Sequence, residues 1–386
     1  MTLSSRYPCR FSTLLLSVVL ALSVVVPAWG LTVPAPPPIA ARAYILQDFN
    51  SGRILASEHA TERVEPASLT KLLTAYIVFK ELREGRLRLG DKVLISEKAW
   101  RTPGSRTFVE VGSKVPVEQL LQGVIVQSGN DATVALAEHI AGSEAVFAGL
   151  MNQQAAALGL AGSHFVNSTG LPHADHYTTA QDLATLTRAL IKDFPEYYRW
   201  YSQREFTYNG IRQHNRNKLL WRDSTVDGVK TGHTESAGYC LVASALRDEM
   251  RLISVVVGTK SENARARESQ ALLNYGFRFF ETHRLYGAGE TVSRARIWKG
   301  ARASLPLGLG DDLYITLPRG QYDRLQAALK VRDPLIAPAV KGRPYGQLVL
   351  SLAGKPVVQK PLLALDDVPE GSFFDRLSDE IRLWFE

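Results

Sequence analysis

Ser68 and Lys71 stand three residues apart at the head of an apolar run, Leu72-Leu73-Thr74-Ala75-Tyr76-Ile77-Val78-Phe79. The run predicts a buried helix beginning near Ser68, which puts the two side chains one turn apart on a shared face. A serine hydroxyl is a poor nucleophile until a neighbour removes its proton. A lysine does that when burial or another cation lowers its pKa. Ser-x-x-Lys is also common on solvated helices, so its weight depends on partners elsewhere in the chain.

Two further polar triplets are candidates. Ser128-Gly129-Asn130 follows a helical apolar face made by Leu120, Leu121, Val124 and Ile125 and precedes a second helical stretch over 132–140. By itself it could simply cap that second helix. Lys230-Thr231-Gly232 ends a run that reads as a strand entering a turn, and such a triplet alone is usually just a turn. Each of the three clusters falls at an element boundary, where side chains can converge on a cleft.

The elements that must position them follow from periodicity and turn residues. Residues 43–46 and 54–56 predict two strands joined through Asn50-Ser51-Gly52. Residues 87–115 read as irregular loop and small hairpin, with β-prone pieces at Val93-Leu94-Ile95 and Phe108-Val109. A helix is expected over 144–158, ended by Gly159, and another over 180–192, capped by Thr179 or Thr178. Residues 239–245 and 252–258 predict a hairpin, and 265–281 a closing helix carrying Leu272, Leu273, Phe277 and Phe280. Strands at both ends and helices between them predict an α/β (α+β) domain, an antiparallel sheet packed with helices, over 41–283. A turn-rich, alternating region over 284–370 predicts a small all-β domain. In the tail, 371–386, Phe373, Phe374, Leu377, Ile381, Trp384 and Phe385 gather on one side of an amphipathic helix. That helix could lie on a membrane surface, dock on its own domain or meet a partner. Its charges sum to −2, which is poor for anionic lipid.

Composition narrows the classes. The chain has 386 residues, 45% of them hydrophobic and 22% charged, with a formal charge of +7, as expected of a folded protein with a sizeable core. No Lys/Arg block interleaved with aromatics is present, so a nucleic-acid partner is disfavoured. Residues 1–30 read as a secretory signal peptide: Arg6 and Arg10, then an apolar stretch, then Ala28-Trp29-Gly30. Residues 31–40 are Pro/Ala-rich and read as an extended linker. Of the two cysteines, Cys9 precedes the apolar stretch and is no lipid-attachment site after it, while Cys240 lies in an apolar run and reads as a buried structural thiol. His164, His173, Asp175 and His176 share one polar loop, 163–178; His173-x-x-His176 with a carboxylate has zinc-ligand spacing, yet clustered polar loop residues are the commoner reading, and no metal or cofactor is expected.

The three triplets together, in this order and behind a signal peptide, are specific: they are the set found in penicillin-binding proteins and serine β-lactamases. The chain resembles the low-molecular-mass penicillin-binding proteins that act as D-alanyl-D-alanine carboxypeptidases. The resemblance lies in Pro66-Ala67-Ser68-Leu69-Thr70-Lys71, Gln127-Ser128-Gly129-Asn130-Asp131-Ala132, Asp227 to Thr234, Gly276-Phe277-Arg278-Phe279-Phe280 and Pro369-Glu370-Gly371-Ser372-Phe373-Phe374. It implies a β-lactamase/transpeptidase-like catalytic domain, a β-rich stalk and a C-terminal helix resting on the periplasmic face of the inner membrane. Peptidoglycan pentapeptide stems would be the substrate and β-lactams the inhibitors. On that resemblance Ser68 forms the acyl-enzyme, Lys71 takes its proton with Lys230 repelling charge from it, and Ser128 relays a proton to the leaving amine. Asn130 holds the substrate amide with one face and orients Lys71 with the other, the N–H groups of Ser68 and His233 form the oxyanion hole, Gly232 belongs to the substrate-binding set, and Thr231, Arg216 and Arg265 are candidates for the terminal carboxylate.

Two other functions share some of these features. A β-lactamase of the glutamate-water kind needs a glutamate in the loop after Ser128-Gly129-Asn130, and none occurs between Ala145 and Pro195. A non-catalytic cell-wall-binding protein would have no need of an intact set of catalytic residue types.

Overall fold

The computed structural model describes residues 33–385, so the expected signal peptide lies outside the described residues. After an irregular lead, strands β1 (Ala43–Asp48) and β2 (Ile54–Glu58) form the expected hairpin. Helices follow, chiefly α1 (Lys71–Arg83), α2 (Asn130–Ala141), α3 (Glu144–Ala157) and α4 (Ala180–Asp193). Strands β3 (Val226–Thr234), β4 (Gly238–Arg247) and β5 (Met250–Thr259) complete the sheet, and α5 (Glu262–Phe279) closes the domain.

The sheet is antiparallel throughout, in the order β2-β1-β5-β4-β3. Register brings Ile45, Val255, Val242 and Lys230 into one row across it. Alternation divides the strands between two cores, as period-two patterning requires. Ala43, Ile45, Val242 and Val255 face α1 and its neighbours, while Tyr44, Leu46, Ala243 and Leu252 face Leu272 and Leu273 of α5. Helix α1 is buried from Lys71 to Phe79, so it runs through the domain's interior with a lysine at its first turn. Strand β3 lies at the sheet's edge, which leaves the Lys230 side of the sheet free to border a cleft.

Several elements depart from expectation. The α-helix starts at Lys71; Ser68 sits in a preceding 3-10 turn, Ala67–Thr70, entered through Ala67 at φ +46°. The face of Leu120 and Leu121 ends at Gln122, and Gly123–Gln127 widens into a π turn before Ser128 takes a left-handed φ of +68°. Residues 87–115 hold more order than expected. Lys92–Leu94 pairs with Lys114–Pro116, not with Phe108-Val109, and Ser96 caps a short helix, Glu97–Arg101. The closing helix begins three residues earlier than its apolar face suggests, because Ser261 accepts from the Ala264 N–H as its N-cap.

A strand over Phe280–Tyr286 leads into the β-rich region, where it pairs with Leu313–Pro318. A five-stranded antiparallel sheet runs in the order Thr291–Arg296, Ser304–Gly308, Lys355–Ala364, Pro344–Leu352, Leu325–Val331. Leu305, Leu307, Ile315, Leu348 and Leu362 make its core. A polar junction ties this region to the first sheet. The buried Asp48 carboxylate accepts from Ser51 N at 2.7 Å and from Thr282 Oγ1 at 2.8 Å, and Arg53 donates to Thr316 O at 2.5 Å. The chain then forms α6 (Phe373–Leu383), opened by a Ser372/Asp375 capping box.

Candidate active site

The turn that carries Ser68 is fixed from three sides. The 167–170 loop presses on it from one: Gly170, at φ +86°, passes so close that a Cβ there would meet Ala67 O at 1.7 Å, which only glycine can accommodate. Strand β3 closes another, with Gly232 against Pro66 O, Leu69 and Ala67. From below, Lys71 Nζ lies 2.9 Å from Ser68 Oγ and donates to Thr169 O at 2.7 Å.

Lys71 is buried, and its pKa falls from 10.5 to about 7. Desolvation is the main cause, the Arg216 charge adds to it, and Asp131 opposes it. Arg216 thus joins Lys230, expected from the sequence, as a cation that disfavours charge on Lys71. Lys230 is itself held well below its ordinary value by burial and then by Lys71, Arg216 and Arg265. Two amines in one dry cleft disfavour each other's charge, and Lys230 carries that cost.

Ser128 and Asn130 enter from the break between the π turn and α2. The left-handed Ser128 reverses the chain so that its hydroxyl and the Asn130 side chain reach the cleft. Ser128 Oγ and Asn130 Oδ1 are buried without a hydrogen-bond partner. Such groups are costly unless something else satisfies them. The Asn130 amide nitrogen is spoken for, donating to Pro103 O at 2.5 Å. The side-chain oxygen makes no hydrogen bond to Lys71 and is left to face a ligand. Asp131 anchors the adjacent segment: its carboxylate accepts from Thr107 N, Phe108 N and Ala132 N, each at 2.8 Å, and from Val109 N at 3.3 Å.

These parts enclose a cleft of about 430 Å³ lined by Ser68, Ser128, Asn130, Arg216, Thr231, Gly232, His233 and Arg265. Lys71 and Lys230 are buried beneath them. All ten residues proposed from the sequence are thus brought to one place. Arg265 donates to Gly232 O at 3.1 Å, which ties α5 to the end of β3. His233 projects outward with its ring tilted by 31° against Tyr239, centroids 4.0 Å apart. The one carboxylate among the lining residues is Glu262, paired with Lys218 at 3.0 Å. Sequence reasoning missed Glu262, Tyr239 and the Thr169 carbonyl. The turn signal Asn167-Ser168-Thr169-Gly170 pointed to a loop, but nothing in it named a partner for Lys71.

The polar loop 163–178 is no ligand set. His176 turns inward to Thr70, and His164 Nδ1 lies 2.6 Å from Asp175 O. Among the described residues no group of three or more histidine, cysteine or acidic side chains is placed to hold a metal ion. Cys240 is buried in β4, its thiol pushed up to about 11 mainly by burial, so it is no nucleophile at neutral pH.

An amine near neutrality beside a serine hydroxyl, two unpartnered oxygens and a pair of arginines at one end suit acyl transfer from a substrate that ends in a carboxylate. Comparison with known proteins points the same way. The D-alanyl-D-alanine carboxypeptidase family model matches residues 31–261, and the model of the penicillin-binding protein 5 C-terminal domain matches 280–370. The chain is 44% identical to the D-alanyl-D-alanine carboxypeptidase DacA of Escherichia coli over 361 residues, covering 92% of this chain and 90% of that one. It is 34% identical to DacF of Bacillus subtilis, covering 89% and 90%. Penicillin-binding protein 5 of Haemophilus influenzae superposes with a TM-score of 0.84 at 42% identity, over 87% of this chain and all of that one. An ampicillin-bound penicillin-binding protein D2 of Listeria monocytogenes gives 0.59 at 28% identity, over 63% of this chain and 100% of that one.

Proposed function

The chain belongs to the D-alanyl-D-alanine carboxypeptidase family, and from that premise we propose how its own residues remove the terminal D-alanine from peptidoglycan stems. Ser68 Oγ attacks the carbonyl carbon of the D-Ala–D-Ala bond while its proton passes to neutral Lys71 Nζ. The C–N bond then breaks, the leaving amine takes a proton through Ser128, and the stem remains as an ester on Ser68. Water hydrolyses that ester, releasing the shortened stem and restoring the hydroxyl.

The supporting residues have distinct tasks. The N–H groups of Ser68 and His233 face the developing oxyanion; losing one such donor typically costs ~100- to 1000-fold in rate. Asn130 Oδ1 accepts from the substrate amide, and Lys230, buried beneath the cleft and bonded to Thr231 O, disfavours charge on Lys71. Thr231, Arg216 and Arg265 receive the terminal carboxylate. The loop after Ser128-Gly129-Asn130 has no glutamate between Ala145 and Pro195 to activate water against a β-lactam ester, so β-lactams that acylate the same oxygen block the cleft.

One observation carries the scheme: Ser68 Oγ lies 2.9 Å from a buried amine whose pKa is about 7. Ser68→Ala is expected to abolish both D-alanine release and the benzylpenicillin adduct seen by mass spectrometry, with circular dichroism unchanged. Release at the wild-type rate by that variant would refute it.

We further infer export by the signal peptide at 1–30 and peripheral attachment to the periplasmic side of the inner membrane through α6. What supports attachment is the helix's outer face: Phe374, Trp384 and Phe385 are each at least 80% exposed. Its polar side is engaged by the β-rich region, where the Lys299 N–H donates to Asp379 at 2.6 Å and Arg376 donates to Glu370 at 2.8 Å.

A further inference from the structure

The 163–178 loop has no part in the reaction scheme, yet it is built against the nucleophile's turn. His176 of this loop is buried beside that turn. Its Nε2 lies 2.9 Å from Thr70 Oγ1, and its Nδ1 accepts from Val166 N at 3.4 Å. Phe165 packs edge-on against the ring at 5.5 Å between centroids. A neutral imidazole has one donor and one acceptor. With Nδ1 facing a backbone N–H, the proton sits on Nε2 and is donated to Thr70. Burial, with His164 and His173 nearby, pulls the pKa down to about 4, so the ring stays neutral where the enzyme works.

Thr70 is fully buried and stands between Ser68 and Lys71 in the 3-10 turn. The same loop supplies Thr169 O to Lys71 and Ser168 O to Thr74 Oγ1 at 2.8 Å. Each end of the Ser68–Lys71 pair is therefore referenced to one loop, and the His176–Thr70 bond is the side-chain link between them.

We propose that His176 is a positioning residue: by donating to Thr70 it holds the Ser68 turn at the height from which Ser68 Oγ meets Lys71 Nζ. This rests on the acyl-enzyme reading of Ser68, whose own failure would show separately as D-alanine release by Ser68→Ala. Misplacement of a reacting atom by a fraction of its reach is costly in rate while leaving substrate binding largely intact.

The test is a double-mutant cycle in the full chain, read as the acylation rate with a fluorescent penicillin and as kcat and KM on a D-Ala–D-Ala peptide. His176→Leu is expected to lower acylation and kcat by about 10- to 100-fold with KM within about twofold. Thr70→Val should give a similar loss, and the double variant no further loss, because both remove one bond. His176→Gln, which can still present an N–H to Thr70, should recover most of the rate. Additive losses, wild-type acylation in His176→Leu, or failure of glutamine to rescue would each overturn the proposal. So would a loss explained by a smaller folded fraction, counted by titrating penicillin-reactive sites. If the leucine variant does not fold, Thr70→Val and His176→Gln still decide it.

Discussion

Lys71 is a charged residue type kept where charge is expensive, and its pKa measures that expense. In the unfolded chain it titrates near 10.5, in the fold near 7. Between those values the unfolded chain binds more protons, so this residue makes stability rise with pH across that window; below about 7 the full penalty applies. Two consequences follow. Acylation should climb as pH rises through about 7, as Nζ becomes free to accept the Ser68 proton, which stopped-flow penicillin acylation would read. Lys71→Met should raise stability more at about pH 6 than at about pH 9, by roughly 2–3 kcal/mol, measured by urea unfolding at both. An unchanged difference would mean that the lysine is charged in the fold.

At the level of elements, the cleft depends on segments that sequence patterns describe poorly. The three polar triplets that meet in the cleft were legible because each is contiguous and sits at a boundary between elements. Their supports were not. Thr169 O is a backbone carbonyl, and Lys71 reaches it across 98 positions of sequence. Asp131 looks like an ordinary first-turn acid of α2, but it gathers the N–H groups of Thr107, Phe108 and Val109 from a distant loop. Period and propensity do not encode such pairings, and the 3-10 entry to α1 was hidden for the same reason: the pressure of Gly170 and β3 on the turn is tertiary. Asp131→Ala would leave those donors without their acceptor, at about 1–3 kcal/mol each. Hydrogen exchange at Thr107–Val109 should speed up and penicillin acylation should fall, since Pro103 and Ser105 bond Asn130 from the same loop. Asp131→Asn, keeping one acceptor oxygen, should lose less.

At the scale of the whole molecule, an all-β region and an outward-facing apolar helix follow the catalytic domain. The helix was legible because amphipathicity is a periodic signal, though it spans Phe373–Leu383 and stops short of Trp384 and Phe385; the Asp48–Thr282–Thr316 junction was not, because it joins short polar side chains far apart in the chain. If α6 attaches the protein to a bilayer, the work is done by its aromatic residues, given the tail's net negative charge. Burial of a large apolar side chain is worth ~1.5–3 kcal/mol. Phe374→Ser with Trp384→Ser should therefore cut binding to zwitterionic vesicles by at least about tenfold in flotation, with D-alanine release from soluble peptide unaffected. Equal flotation of the double variant would count against attachment through this face.

The position of β3 at the margin of its sheet has one more consequence. A strand with a neighbour on only one side offers an extended chain whichever amide and carbonyl groups are not already bonded, as Gly228 O is by Asn217 and Gly232 O by Arg265. In most proteins that open seam is a hazard, inviting other molecules to stitch on. Here the seam runs along the reactive hydroxyl, so a stem can be gripped by its main chain, and side-chain differences among cell-wall peptides need not alter the grip.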